Sequence, residues 1–306
     1  MKKLTVHMMV MVSLMAAAVM VAAPRANATV KIVAASPELA DIARSVGGNK
    51  VSVESVAKPN QDLHMIEPRP SYVTKIAQAD MILKVGLDLD MWMDALINES
   101  GNTKVNKGGP GYVDCSVGVK LMELPNSQIT GASGDIHAYG NPHYIYDPQN
   151  GKVVAYNICV GLDRVSPANA AYFNANYQAF IAEADAKMKV WLHELAPYKG
   201  RPVVIYHASA IYFLRRFGLK EFATLEPKPG VPPSAAHVNN VINAMKASHV
   251  TALCVESVYP LSYPNTVVAA TGAKLEVVPY SVGALGTKSY FEMIDMWVQK
   301  YKQALQ

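Results

Sequence analysis

From Ala168 to Ala196 the chain runs without a glycine or a proline, and no other feature constrains the fold as much. Counted from the Ser166-Pro167 start, the stretch predicts one helix of about 30 residues, roughly 45 Å long at about 1.5 Å per residue. Tyr172, Tyr177, Phe180, Ile181, Ala184 and Met188 recur along it at helical spacing, so one face is expected to be buried. On either side the pattern changes. Short apolar runs alternate with helical segments, which is the signature of βαβ units around a mostly parallel sheet. Strands are expected over 30–34, 51–56, 81–85, 202–206, 250–255 and 275–278, and helices over 72–78, 210–217, 235–246 and 290–305. Ser36 and Pro37 start a further helix that Gly47-Gly48 ends. The fold class is therefore α/β, with two lobes of mostly parallel sheet flanked by helices and joined by one long rigid helix.

Residues 1–28 read as a signal peptide: Lys2 and Lys3 lead an apolar stretch over 8–23, and Ala26-Asn27-Ala28 forms a small-residue cleavage site. The apolar stretch is shorter than the roughly 20 residues that a spanning helix needs. No cysteine stands beside the cleavage site to carry a lipid. The expected product begins at Thr29 and is soluble in a periplasm. It divides into an N-terminal lobe over 29–165, the linking helix over 166–197 and a C-terminal lobe over 198–306. The formal charge of +4 includes Lys2, Lys3 and Arg25; without those three, the 28 basic residues become 25 against 24 acids. A near-neutral chain lacks the electrostatic footprint of a nucleic-acid or anionic-lipid binder. Cys115, Cys159 and Cys254 make no C-x-x-C pair, so a thiolate metal site is not suggested. One disulfide with one thiol left over, or plain burial of all three, are both open.

Three histidines stand at loops or strand ends: His64 in Asp62-Leu63-His64-Met65-Ile66-Glu67-Pro68, His143 in Asn141-Pro142-His143-Tyr144, and His207 directly after a strand. Glu256 follows another. In open α/β sheets ligands bind beyond the carboxyl ends of strands. Two histidines from the first lobe would thus meet His207 and Glu256 of the second in the cleft. Three imidazoles and a carboxylate suit Zn²⁺ or Mn²⁺ rather than the all-oxygen shell of Ca²⁺. A lone strand-end histidine is more often a satisfied polar residue than a ligand, so spacing by itself does not decide the matter.

The motifs add to this. Asp62-x-His64-x-x-Glu67-Pro68-x-Pro70-Ser71, Gly140-Asn141-Pro142-His143-Tyr144-x-x-Asp147-Pro148 and His207-x-x-x-x-Tyr212-x-x-x-x-Phe217-Gly218-Leu219 occur in that order. Together they resemble the ligand loops of the zinc/manganese solute-binding proteins of bacterial ABC importers, over nearly the whole mature chain. The resemblance implies His64, His143 and His207 as metal ligands. It departs at the fourth: many members carry an Asp after the last strand, where this chain reads Val278-Pro279-Tyr280-Ser281. Glu256 is the family-consistent substitute, with a solvated or helix-capping Glu as the alternative. The long His-rich loop of some zinc-specific members is also missing, and 126–141 offers only His137, either an accessory ligand or a solvated loop residue. His237 reads as capping or packing, and His193 and His249 as surface residues. Glu67 and Asp147 are candidates either to orient the imidazoles or to serve the turns beside Pro68 and Pro148.

The resemblance implies a monomeric, non-enzymatic periplasmic protein. It would capture Zn²⁺, with Mn²⁺ as the alternative, and deliver it to an ABC permease of the inner membrane. The rival readings are a secreted zinc-dependent hydrolase, because three histidines with an open fourth position describe many catalytic zinc sites, and a metal-buffering or cell-adhesion module. No general base stands beside the ligand motifs to support the hydrolase.

Overall fold

The computed structural model describes residues 29–125 and 137–306, so the expected signal peptide lies outside the described residues. The first strand, β1 (Val30–Ala34), leads into helix α1 (Pro37–Gly47). As the sequence predicts, Ser36 caps that helix, its Oγ accepting from the Leu39 amide at 3.4 Å, and Pro37 opens it. The first sheet is β2 (Val51–Ser55), β1, β3 (Met81–Lys84) and β4 (Tyr112–Asp114) in spatial order, all parallel. Around it lie α2 (Pro70–Ala77), α3 (Trp92–Ser100) and α4 (Pro148–Val165).

The long helix α5 spans Ala170–Leu195, with single 3₁₀ turns at Pro167–Asn169 and Ala196–Tyr198. Its 26 residues extend about 39 Å. The buried positions are Phe173, Phe180, Ala184, Trp191 and Leu195, with Tyr177, Ile181 and Met188 partly buried between them. Tyr172, expected on that face, is 38% exposed. Phe173, one position on and about 100° round the helix, takes the inward place.

The second sheet, β6 (Lys220–Thr224), β5 (Pro202–Ile205), β7 (Ala252–Glu256) and β8 (Lys274–Val278), is again parallel. Helices α6 (Ile211–Phe217), α7 (Ala235–Ala247), α8 (Ser262–Thr271) and α9 (Tyr290–Leu305) complete it. In each sheet the chain steps outward from one strand and then returns to build on its other side. The crossover points are β1/β3 and β5/β7, where α/β sheets bind ligands.

One apolar core runs through both sheets, from Ile32 and Met81 to Val203 and Cys254. Aromatic contacts stitch it together: Phe180 on Phe291 with centroids 4.7 Å apart, and Tyr146 on Trp297 at 4.4 Å. A smaller cluster around Val204, Leu253 and Val267 belongs to the second lobe alone. The three cysteines are buried and unpaired.

Candidate metal centre

His64 sits in a single helical turn, Leu63–Met65, that Asp62 caps by accepting from the His64 amide at 3.0 Å. His143 precedes the turn Tyr144–Tyr146 that leads into α4, its amide donating to Asn141 Oδ1 at 2.9 Å. His207 lies two residues beyond β5, and Glu256 is the last residue of β7. The three imidazoles meet. A ring nitrogen of each lies within 4.8 Å of those of the other two, and His143 and His207 are buried.

The outward-facing nitrogens of His64 and His207 are held. His64 Nδ1 is 2.8 Å from Asp62 Oδ1, and His207 Nδ1 is 2.7 Å from Glu226 Oε2. Carboxylates in these positions fix the tautomer and leave each Nε2 lone pair facing the cleft, as metal-ligating histidines require. Tyr280 reaches across from the second lobe, its hydroxyl donating to Asp62 Oδ1 at 3.3 Å and accepting from the Leu63 amide at 3.1 Å. Tyr280 therefore braces the carboxylate that holds His64. Glu226 is the partner that sequence reading missed.

Glu256 is 1% exposed and lies outside the set of atoms within 4.8 Å of one another. Its Oε1 accepts from the Ser209 hydroxyl, and its Oε2 has no partner among the described residues. Burial pushes its carboxyl up to about 7, against the pull of Ser209. His137 also lies outside the set, but its Nε2 is 3.2 Å from His64 Nε2. The ring is half-buried, not solvated. Burial, with the neighbouring His64 and His207, lowers it to about 4. Burial likewise holds His143 well below the imidazole range. At His207 burial also pulls downward, but the Glu226 carboxylate, with Glu256 and Asp62 behind it, outweighs that pull and raises the ring.

The other candidates separate cleanly. Glu67 is exposed, whereas Asp147 is buried and caps α4, accepting from the Gln149 amide at 2.9 Å. Asp147 also grips Arg216 of α6 through both oxygens, at 2.7 and 2.8 Å, an ion pair between lobes. His237 bonds the Thr224 backbone at 3.0 Å, and His193 and His249 are exposed.

Two parallel α/β lobes that bring imidazoles from both sides into the cleft define a solute-binding protein whose ligand is a metal ion. The chain belongs to the family described as zinc-uptake complex component A, periplasmic, whose profile matches residues 32–304. It is 26% identical over 311 residues to the metal ABC transporter substrate-binding lipoprotein SloC of Streptococcus mutans serotype c (strain ATCC 700610 / UA159), covering 100% of this chain and 99% of that protein. It is 27% identical over 278 residues to the iron-binding protein YfeA of Yersinia pestis, covering 88% and 84%. The crystal structure of ZnuA superposes with a TM-score of 0.77 at 22% identity, covering 91% of this chain and 100% of that one.

Proposed function

We propose that this protein captures Zn²⁺, with Mn²⁺ the alternative, through His64, His143 and His207 with Glu256 as carboxylate donor, and hands it to an ABC permease of the inner membrane. The observation that carries the reading is the convergence of three imidazoles from two lobes, two of them backed by carboxylates. Zinc over manganese follows from the donors, because imidazole suits zinc and oxygen sets suit manganese. The family's description as a zinc-uptake component supports the same choice. The hydrolase reading gains nothing, since the curated relatives are substrate-binding components. The protein would act as a soluble periplasmic monomer. Among the described residues no helix is long and apolar enough to cross a membrane.

Ligands bind the metal only when deprotonated, so affinity falls as pH drops through the imidazole range. Release follows when docking shifts one lobe against the other and parts His64 and His143 from His207. Metal analysis of protein purified without chelators tests the reading, together with His64→Ala, His143→Ala and His207→Ala. One metal per chain is expected, each variant binding far more weakly. Chelation should lower the melting temperature of the parent, since ligand at one hundredfold above Kd stabilises a fold by about 2.7 kcal/mol. Three variants that hold zinc like the parent would refute the assignment.

A further inference from the structure

We infer that Tyr280 is a positioning residue for the metal: from the second lobe its hydroxyl fixes the carboxylate and the peptide that aim His64, so the ligand loop of one lobe is set only when the other lobe is in place. The inference rests on the reading that His64, His143 and His207 hold the metal. Tyr280 stands two residues beyond β8, at a carboxyl strand end, where α/β sheets gather their ligand loops.

Each of its polar groups bonds a segment that carries a candidate donor. The hydroxyl accepts from the Leu63 amide at 3.1 Å and donates to Asp62 Oδ1 at 3.3 Å, on the loop of His64. The carbonyl accepts from the Tyr146 hydroxyl at 2.5 Å, in the turn that His143 opens. The amide donates to Ser257 Oγ at 3.1 Å, beside Glu256, and the Ser257 hydroxyl donates in turn to Asn60 Oδ1 at 3.0 Å, back in the first lobe. The ring meets Tyr259 edge-on with centroids 6.5 Å apart, and Tyr259 lies 5.9 Å from the His207 ring. One side chain and its peptide therefore join the surroundings of all three imidazoles.

The bonds to the His64 loop are obligatory rather than incidental. Tyr280 is 2% exposed, and a buried polar group that loses its partner is not rescued by water. The Leu63 peptide is gripped from both lobes: Trp92 Nε1 donates to its carbonyl at 3.0 Å from the first, and Tyr280 takes its amide from the second. Asp62 Oδ1 likewise faces the His64 amide at 3.0 Å, His64 Nδ1 at 2.8 Å and the Tyr280 hydroxyl. A movement between the lobes breaks the Tyr280 bonds and leaves the Trp92 bond whole. The carboxylate is then free to turn, and a turn moves the imidazole by more than the roughly 0.2 Å that a metal bond tolerates.

The test compares zinc affinity and release rate, by chelator competition, for the parent, Tyr280→Phe, Asp62→Ala and the double variant, each shown to be folded by circular dichroism of the apo protein. Tyr280→Phe keeps the ring, the amide and the carbonyl and removes only the hydroxyl. It should weaken zinc by about tenfold, the lower end of the 10–100-fold carried by partners of metal-bound imidazoles, and speed release in proportion. In the Asp62→Ala background the same change should cost under about twofold more, because the carboxylate it acts through is gone. A Tyr280→Phe protein with a lowered apo melting temperature but the parent's zinc affinity makes the hydroxyl structural only, and overturns the inference while leaving the three-histidine reading intact. Losses that multiply in the double variant also overturn it, since the hydroxyl would then act independently of Asp62. If Tyr280→Phe does not fold, Tyr146→Phe cuts the bond to the Tyr280 carbonyl from the first lobe; about tenfold weaker zinc is again expected, and the parent's affinity would overturn the inference. A parent that binds no zinc refutes the underlying reading as well.

Discussion

Asp147→Asn isolates what the ion pair between the lobes contributes. The substitution keeps a side-chain oxygen to accept from the Gln149 amide, so the cap of α4 survives. What it removes is the charge that Arg216 meets through two bonds of 2.7 and 2.8 Å. Stranding one partner of a fully buried pair costs about 3–5 kcal/mol. Here the Asp147 side chain is 11% exposed but that of Arg216 is 34% exposed, so water takes over part of the lost interaction. The expected destabilisation is about 1–3 kcal/mol. Arg216→Ala in the same background completes a double-mutant cycle, which should show the two changes to be non-additive. Urea unfolding of the apo protein, followed by tryptophan fluorescence, measures both. The site should feel the change, because Asp147 lies four residues beyond His143 and Arg216 nine beyond His207. Couplings of this kind are worth about 0.5–2 kcal/mol, roughly two- to thirtyfold in zinc affinity. An Asp147→Asn protein with the parent's stability and zinc affinity would refute the claim that this pair holds the lobes in register.

Two further outcomes follow from buried carboxylates. Glu226→Gln should weaken zinc by about 10–100-fold in a competition titration, and the His207 ring should titrate lower by NMR once its anion is gone. Burial pushes Asp90 up to about 6, so the folded protein holds a proton that the unfolded chain releases near 3.8. That contribution to stability is complete below about 3.8 and is lost as pH rises through about 6. Asp90→Asn should therefore flatten the fall in apo stability between those values, read from urea midpoints. A parallel slope in parent and variant would contradict it.

The three converging imidazoles were legible because their signals are local. His64 and His143 stand in proline-bounded loops, and His207 ends an apolar run that only a buried strand explains. The partners of the imidazoles were harder, and unequally so. Asp62 lies two residues before His64, a spacing at which aspartate bonds the backbone ahead of it, so it was within reach. Glu226 was not. It follows β6, an edge strand whose exposed Lys220 and Glu221 break the apolar pattern, and without that strand nothing places Glu226 beside the end of β5. Edge strand β4 and helices α3 and α8 were missed too. Helix α4 escaped through its glycines. Glycine lowers helix propensity, but at Gly151 and Gly161 a Cβ would come within 2.5 Å of the Tyr290 hydroxyl at one and of Val113 at the other. They are close-packing positions, where the helix meets α9 and β4.

That packing changes the reading of the long helix. A lone rod between two independent lobes would let each lobe move about its own end. Here α5 lies on a core that both sheets share, with Phe180 on Phe291 and Trp191 donating to Asp295 Oδ1 at 2.7 Å. Parting the lobes widely would expose that core, at about 25 cal/mol for every Å² of apolar surface. A wide opening is not needed to drop a metal. Coordination tolerates about ±0.2 Å in each bond, so a shift of an ångström or so between His143 and His207 leaves the ion without its ligand set. The shared core therefore sets the scale of movement, and the ion pair and tyrosine bonds across the cleft set its direction: Tyr212 donates to the Asn141 carbonyl at 2.8 Å, and Tyr280 to Asp62. Affinity in such a site would be governed by the packing that fixes the distance between two lobes as much as by the imidazoles that meet there.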